Sequence, residues 1–399
     1  MGKSAIFGNP FDYAQIGTKY YRKIKRRRLD GSIAITLELW RKDFIIREVS
    51  KDELYLIEKY EGFCYFPEHI HYNRRVINCY NRYEPLAHKP APGEWPVIRQ
   101  FLEHIFGEQI EYGLDYLQIM YIKPTQHLPI LVLVSEARST GKTTFLNFLG
   151  TIYGENMAFN RSDDISSRFN SDWAGKNVIG IDEAVANTMK DSEHLKALCT
   201  ARNFVVEEKF SEKVACEPFA KIILCSNDTN CPVIIDKYED RYWVREIPHL
   251  AKIDTELVEK MKAEIPHFLF ALQKRALFVP KPLSRTWFNS KDLETDALRR
   301  IRRNALNNDE YDVANCLLDF MNQHNLDEIS LTDTEIRKVL KDGNVCIPKN
   351  LHKIIAFQWK TPQAGSKMVY TSYVGDEPHR AEGRYYTFRK DDLLKKVEG

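Results

Sequence analysis

The sequence predicts an α/β fold built on a mainly parallel sheet, with a small α+β region before it and a compact helix-rich module after it. Three observations carry that expectation. Aliphatic runs recur between helical segments from residue 128 to 250: "LPILVLVS", "NVIGIDEA", "AKIILCSND" and "RYWVREI". None alternates strictly between apolar and polar residues, as expected of strands covered by helices on both faces. The texture of the chain also changes on either side of this region.

Residues 1–92 form an N-terminal α+β region in which "SIAITLELW", "DFIIREVS" and "GFCYFPEHI" read as short strands. The Pro/Gly cluster "HKPAPGEWP" then marks a boundary or a rigid connector. Residues 93–127 read as a helical lead-in, because "VIRQFLEHIFG" and "GLDYLQIMYI" place apolar residues at helical spacing, with Gly107 and Gly113 as punctuation. After the core at 128–250, "TELVEKMKAEIPHFLFALQKRAL" and "LETDALRRIRRNAL" make residues 251–307 a helical lid or linker. In residues 308–399 the helices "YDVANCLLDFMNQ", "TDTEIRKVL" and "PKNLHKIIAFQW" precede a hairpin, "KMVYTSYVG…EGRYYTFRK". That order suits a winged-helix-like module. Its third helix would turn Lys349, His352 and Lys353 outward, towards DNA or towards a protein; both readings stay open.

The 399-residue chain is 43% hydrophobic and 29% charged, with a formal net charge of only +2, so it is no polycation. Nucleic-acid contacts must come from local patches. Eight cysteines lie scattered with no C-x-x-C pair, which argues for reduced thiols over a disulfide framework or a zinc site. Dispersed histidines such as His69 and His71 lack partners at metal spacing and read as satisfied surface or core residues. No signal-like h-region and no long apolar span occurs, so no membrane partner is expected. The expected setting is cytoplasmic.

The chemistry is carried by "SEARSTGKTTF", Ser135 to Phe145, which follows the first aliphatic run. Its second half fits G-x-x-x-x-G-K-[ST]: successive backbone N–H groups cradle phosphate, a lysine neutralises β/γ charge and a hydroxyl binds Mg²⁺. Ser139, Thr140, Gly141, Lys142, Thr143 and Thr144 are the candidate ATP-binding residues, and a helix follows whose N-terminus favours phosphate. Glu136 stands where the first glycine belongs, a position that makes the turn and need not touch phosphate. The next strand ends in Asp182 and Glu183, the first a Mg²⁺ holder beside Thr143, the second a base for the attacking water. A third ends in Asn227, whose amide can orient that water without adding charge. Arg241 is the candidate arginine finger, reaching a neighbouring subunit's site, and Arg245 is its rival.

As a set, these motifs resemble the superfamily 3 helicases, AAA+-related replication helicases. The sequence is most similar to the helicase part of phage and virus primase-helicases. The likeness lies in "STGKTTFL", "FNSDWAGKNVIGIDEA", "KIILCSND" and "DRYWVRE", and extends into both flanks through "PGEWPVIRQFLEHIFGEQIEYGLDYLQIMYIKPTQHLPILVLVS" and "SRTWFNSKDLETDAL". The resemblance implies a P-loop ATPase core using ATP and Mg²⁺, a hexameric ring of identical subunits, and unwinding of duplex from single-stranded or forked DNA during phage or mobile-element replication. An ATP-switched DNA-binding initiator or loader without unwinding is the alternative, because the same core serves both.

Family members also carry a hairpin before the Asn-bearing strand, with a basic tip that enters the ring's pore. "VVEEKFSEKVACEPFAKIILCSN" matches it, making Lys209, Phe210 and Lys213 the DNA-binding candidates, and Lys196 upstream is a further one. Residues 1–90 show no paired-acid pattern or zinc ribbon, so primer synthesis falls to a separate primase or replisome protein. Seven of the ten residues from Lys19 to Arg28 are basic, which reads equally as a nucleic-acid contact or as a solvated strand face.

Overall fold

The computed structural model describes residues 8–27, 33–160, 173, 175–183, 189–200, 204–206, 214–216, 218–236, 239–250, 254–343, 345, 347–348, 350–375 and 377–397. Near the N-terminus, β1 (Tyr13–Ile16), β2 (Lys19–Arg27), β3 (Ile33–Trp40) and β4 (Glu58–Tyr60) form one sheet in the order β3-β2-β1-β4. β1 runs antiparallel to β2 and parallel to β4. Between them α1 (Lys42–Glu48) occupies the stretch expected to be the strand "DFIIREVS". Its apolar residues are spaced for a helix: Ile45 and Val49 stand four apart and are both fully buried with Tyr13 and Ile57. β5 (Gly62–Cys64) is shorter than "GFCYFPEHI" suggests, since Pro67 offers no amide to a ladder. It pairs with β7 (Cys79–Asn81), which also pairs with β6 (Arg75–Val76).

This region is fastened to the rest of the chain by His69. Its Nδ1 lies 2.6 Å from Tyr121 O and its Nε2 2.6 Å from Tyr83 Oη, and its ring stacks on Tyr121 at 5.5 Å. A backbone carbonyl only accepts, so Nδ1 donates and the unprotonated Nε2 accepts from the tyrosine. Burial pulls the imidazole down to about 4.

α2 (Pro96–Phe106) and α3 (Ile110–Ile122) form as their periodicity predicts. The central sheet then alternates with helices: β8 (Ile130–Val134), α4 (Lys142–Tyr153), β9 (Met157–Asn160), β10 (Val178–Ile181), α5 (Met189–Thr200), β11 (Phe204–Val206), β12 (Val214–Cys216), β13 (Lys221–Ser226) and β14 (Tyr242–Glu246). Five of these strands make one all-parallel sheet in the order β14-β8-β13-β10-β9. β11 and β12 stand apart as an antiparallel pair. Two further helices follow, α6 (Leu257–Lys274) and α7 (Asp296–Gln323).

Both faces of the sheet are covered, which is why its strands read as unbroken apolar runs. Leu131, Leu133, Ile223, Cys225 and Trp243 point into a core shared with α2, α3, α4 and α6. Ile130, Val132, Ile222, Leu224 and Val244 point the other way, onto Leu195 and Leu198 of α5 and Ala297, Leu298 and Ile301 of α7. Each such side chain contributes about 1.5–3 kcal/mol by leaving water.

α7 is a single 28-residue helix that runs through residue 307, where the sequence suggested a boundary. Its second half supplies Val313, Leu317 and Met321 to a third core. Around that core lie β15 (Glu328–Thr332), α8 (Asp333–Asp342), an α-helical turn at Leu351–Lys353 continuing as a π-helical turn at Ile354–Gln358, β16 (Met368–Ser372), β17 (His379–Gly383), β18 (Tyr385–Arg389) and α9 (Lys390–Val397). A capping box between Thr332 and Glu335 starts α8. The expected hairpin is divided: β16 pairs with β17, while β18 crosses to β15. The reason lies in Tyr386 and Phe388, which alternate into the core from β18. Lys349 lies outside the described residues, and His352 hydrogen-bonds Tyr386 Oη at 2.8 Å.

Candidate functional site

In a parallel sheet the C-terminal ends of all strands share one edge, and crevices that bind ligands open there. Here the segments leaving β8, β10 and β13 meet at that edge, with β13 between the other two. The chain leaves β8 at Ser135, turns through Glu136–Gly141, and enters α4. Gly141 caps the helix at φ +95°, a left-handed conformation that glycine adopts freely, and a Cβ there would stand 3.2 Å from the Phe101 ring. Ser139 also has a positive φ, +57°. The turn is held from behind, where His104 Nε2 lies 2.9 Å from Thr140 O.

Lys142, the first residue of α4, is only 7% exposed. Its ammonium donates to Asn227 Oδ1 at 3.0 Å and to Ser135 Oγ. Burial pulls its pKa below the ordinary lysine value, an effect the Asp182 carboxylate partly offsets. A desolvated cation of this kind is stabilised by any anion that enters. Next to it, Thr143 Oγ1 donates to Asp182 Oδ2 at 2.8 Å. Glu183 follows with φ +54°, an uncommon conformation for a residue with a side chain, and its amide donates to Asp182 Oδ1 at 3.1 Å.

These groups line one cavity of about 480 Å³, with Asn227 and Thr144 among its walls. All the residues expected around the phosphate end therefore converge: Ser139 to Thr144, Asp182, Glu183 and Asn227. Arg138, Cys225 and Ser226 line it too, and were not singled out from sequence. Cys225 is invisible to pattern reading because it is one more apolar-like residue in a buried strand. Ser135, which receives the Lys142 ammonium, sat in plain view at the end of "LPILVLVS".

Glu136 does not pair with the nearby Arg138. It accepts a hydrogen bond from Thr229 Oγ1 at 3.4 Å, across from the turn after Asn227. That turn is closed by Asp228 Oδ1, which accepts from the amides of Asn230 (2.8 Å) and Cys231 (2.9 Å). Helix α7 grips the same turn, with Arg300 donating to Thr229 O at 3.1 Å and to Glu246 at 3.0 Å, and Asn304 to Asn230 O at 3.1 Å.

Arg241 lies elsewhere. Its carbonyl pairs with the amide of Ile130 at the start of β8, so it sits at the edge of the sheet opposite the cavity. Its Nη1 lies 3.2 Å from Glu239, and its Nε is buried without a hydrogen-bond partner among the described residues. Arg245 is nearer the cavity edge but 6% exposed and held by Glu108 at 2.6 Å. Lys196 is 4% exposed and enclosed by Glu193, Asp236 and Glu239, so it does not face a nucleic acid. β11 and β12 supply the antiparallel ladder expected of the hairpin before Asn227. Lys209, Phe210 and Lys213 fall outside the described residues.

Comparison with known proteins gives a likeness of fold and a family match over part of the chain. Residues 133–242 match a family of unknown function (DUF5906). No curated protein matches the chain. The apo structure of the NrS-1 C-terminal region (305–718) superposes with a TM-score of 0.58 and 16% identity, covering 93% of this chain and 96% of that one. The A-form apo structure of the same region gives 0.56 and 15%, covering 92% and 94%. At such identities the likeness is one of fold, and it spans nearly the whole chain.

Proposed function

We propose that this chain is an ATP-driven replication helicase of the superfamily 3, AAA+-related kind, similar to the helicase part of phage primase-helicases. One observation carries the reading: Lys142, Thr143, Asp182, Glu183 and Asn227 come from three separate strand ends and face a single cavity. The whole-length fold likeness to the NrS-1 C-terminal region agrees with it.

In this reading Ser135 to Gly141 is a P-loop, whose amides and the N-terminus of α4 receive the phosphates of ATP. Lys142 binds β/γ oxygens with the charge its burial leaves unsatisfied. Thr143 and Asp182 present a hydroxyl and a carboxylate only 2.8 Å apart, an all-oxygen set that suits a hard cation such as Mg²⁺. Bound there, Mg²⁺ would neutralise charge on the phosphates. Glu183 accepts the proton of the attacking water, and Asn227 orients that water by its amide while its oxygen holds Lys142. Arg241 acts on the next subunit's cavity in a head-to-tail hexameric ring, and Lys209, Phe210 and Lys213 grip single-stranded DNA in its pore. Residues 308–399 serve as a winged-helix-like module, and a separate primase or replisome protein provides primers.

The test is ATP turnover and strand displacement on a forked duplex, with and without single-stranded DNA. Turnover is expected to rise with single-stranded DNA and to accompany displacement. Lys142→Ala is expected to abolish both while the protein stays folded. Turnover without displacement would assign the chain to initiation or loading, and no turnover at all would end the ATPase reading.

A further inference from the structure

β2 and β3 outrun the sheet they belong to. β1 pairs with β2 from Lys19 to Arg22 only, whereas β3 pairs with it from Tyr20 to Arg27. Residues 23–27 and 33–37 therefore form a two-stranded ribbon, about 17 Å long at 3.4 Å per residue, that no further strand among the described residues flanks.

The two faces of this ribbon differ. On one, charge is matched within the protein: Arg22 pairs with Glu48 at 3.2 Å and lies over Trp40, and Arg26 pairs with Glu38. On the other stand Lys23, Lys25 and Arg27, opposite Leu37, Ile35 and Ile33. Lys23 alone among these three has an acidic partner, Glu58 at 3.0 Å. Lys25 and Arg27 are exposed and without an acidic partner among the described residues. Beside them Ile33 and Ile35 are 67% and 46% exposed. A projecting pair of unmatched cations next to bare β-branched side chains calls for an occupant that is anionic and also offers apolar surface.

We propose that this ribbon is an arm for duplex DNA, with Lys25 and Arg27 on phosphates and Ile33 and Ile35 against the groove floor. A two-stranded ribbon fits the major groove, which is about 12 Å wide. Single strands are held chiefly by stacking on aromatic rings. On this face the one aromatic ring of β2, Tyr21, is engaged by Phe63 at 5.4 Å and packs into a core. The aliphatic, cationic arm thus suits a duplex rather than a single strand. It adds an attachment point outside the ring's pore and does not depend on ATP chemistry.

The experiment measures binding of the full chain, without nucleotide, to a labelled random-sequence duplex and to a single strand, over a range of salt. Lys25→Glu/Arg27→Glu is expected to weaken duplex binding roughly tenfold or more and to make the salt slope shallower by about 2, since each lost phosphate contact removes ~0.9. Single-strand binding and DNA-independent ATP turnover are expected to stay unchanged. Lys25→Gln/Arg27→Gln, which preserves size, guards against a folding defect and is expected to show a smaller loss of the same kind. Unaltered duplex affinity in folded variants overturns the proposal. So does a loss confined to the single strand, a change in self-association instead of DNA binding, or binding to phosphatidylserine vesicles but not to duplex that disappears in the variants. Because no nucleotide is present, a failed ATPase leaves this test readable.

Discussion

Glu183 and His69 stand in settings, one left-handed and one desolvated, that have measurable consequences. Glu183 at φ +54° carries strain of roughly 1–2 kcal/mol, the usual cost of placing an L-residue there. Glu183→Gly is expected to recover part of that in a denaturant titration while losing ATP turnover roughly 10²–10⁴-fold. Glu183→Gln is expected to lose the turnover and gain no stability, which separates strain from chemistry. His69 gives a pH dependence of definite sign. Its folded pKa is depressed to about 4, so below its ordinary value of 6.5 the unfolded chain takes up a proton that the folded one refuses. Stability is then full above about pH 6.5 and falls as pH drops towards 4, by about 2 kcal/mol at pH 5. Urea unfolding at pH 7 and pH 5 checks this, with the difference expected to shrink in His69→Gln. At this scale the sequence announced Lys142 and Thr143 through the G-K-T pattern, and Asp182, Glu183 and Asn227 because they follow apolar runs. It could not announce Ser135 as the ammonium's partner, Glu136 as the partner of Thr229, or the ion cluster that encloses Lys196. Those depend on which strands become neighbours.

Among the elements, β8, β10 and β13, which carry the site, and β14 beside them were legible for one reason: helices cover both faces, so they read as plain aliphatic runs. α1 was misread because its single short turn of apolar residues, "DFIIREVS", is equally rich in β-branched side chains. Tertiary packing of Ile45 and Val49 decided for the helix. The C-terminal hairpin was misassigned for a similar reason, since only the third core shows that β18 belongs with β15. α7 shows what an element can do that no motif reveals. Through Arg300 and Asn304 it holds the turn after Asn227, and through Arg302 it holds Glu239 O, so it touches both the cavity side and the Arg241 side of the sheet. Arg300→Ala is expected to cost about 1–3 kcal/mol of stability through the lost charged hydrogen bonds. It is also expected to lower turnover severalfold at unchanged nucleotide affinity, as a loosened Asn227 would. Thermal melts beside steady-state kinetics test both halves.

For the whole molecule, the opposite placement of Lys142 and Arg241 sets the terms of assembly. Both are anchored by the same parallel strands, at opposite ends, so one chain cannot bring its own Arg241 to its own cavity. If Arg241 serves catalysis, an interface between unlike surfaces must join successive subunits, and such an interface closes into a ring or runs on as a filament. Lys142→Ala and Arg241→Ala are each expected to be inactive alone. Mixed in equal amounts, they are expected to recover up to about a quarter of wild-type turnover, the share of interfaces that join an intact cavity to an intact Arg241. No recovery on mixing would confine Arg241 to its ion pair with Glu239. α7 meanwhile joins the core on one face of the sheet to the third core, and its 28 residues span roughly 42 Å. A rod of that length has mechanical gain. A tilt of about 5° where Arg300 grips Thr229 swings its far end at Gln323, roughly 35 Å away, by about 3 Å, turning a displacement smaller than a bond length on the cavity side into one large enough to reseat a side chain at the other.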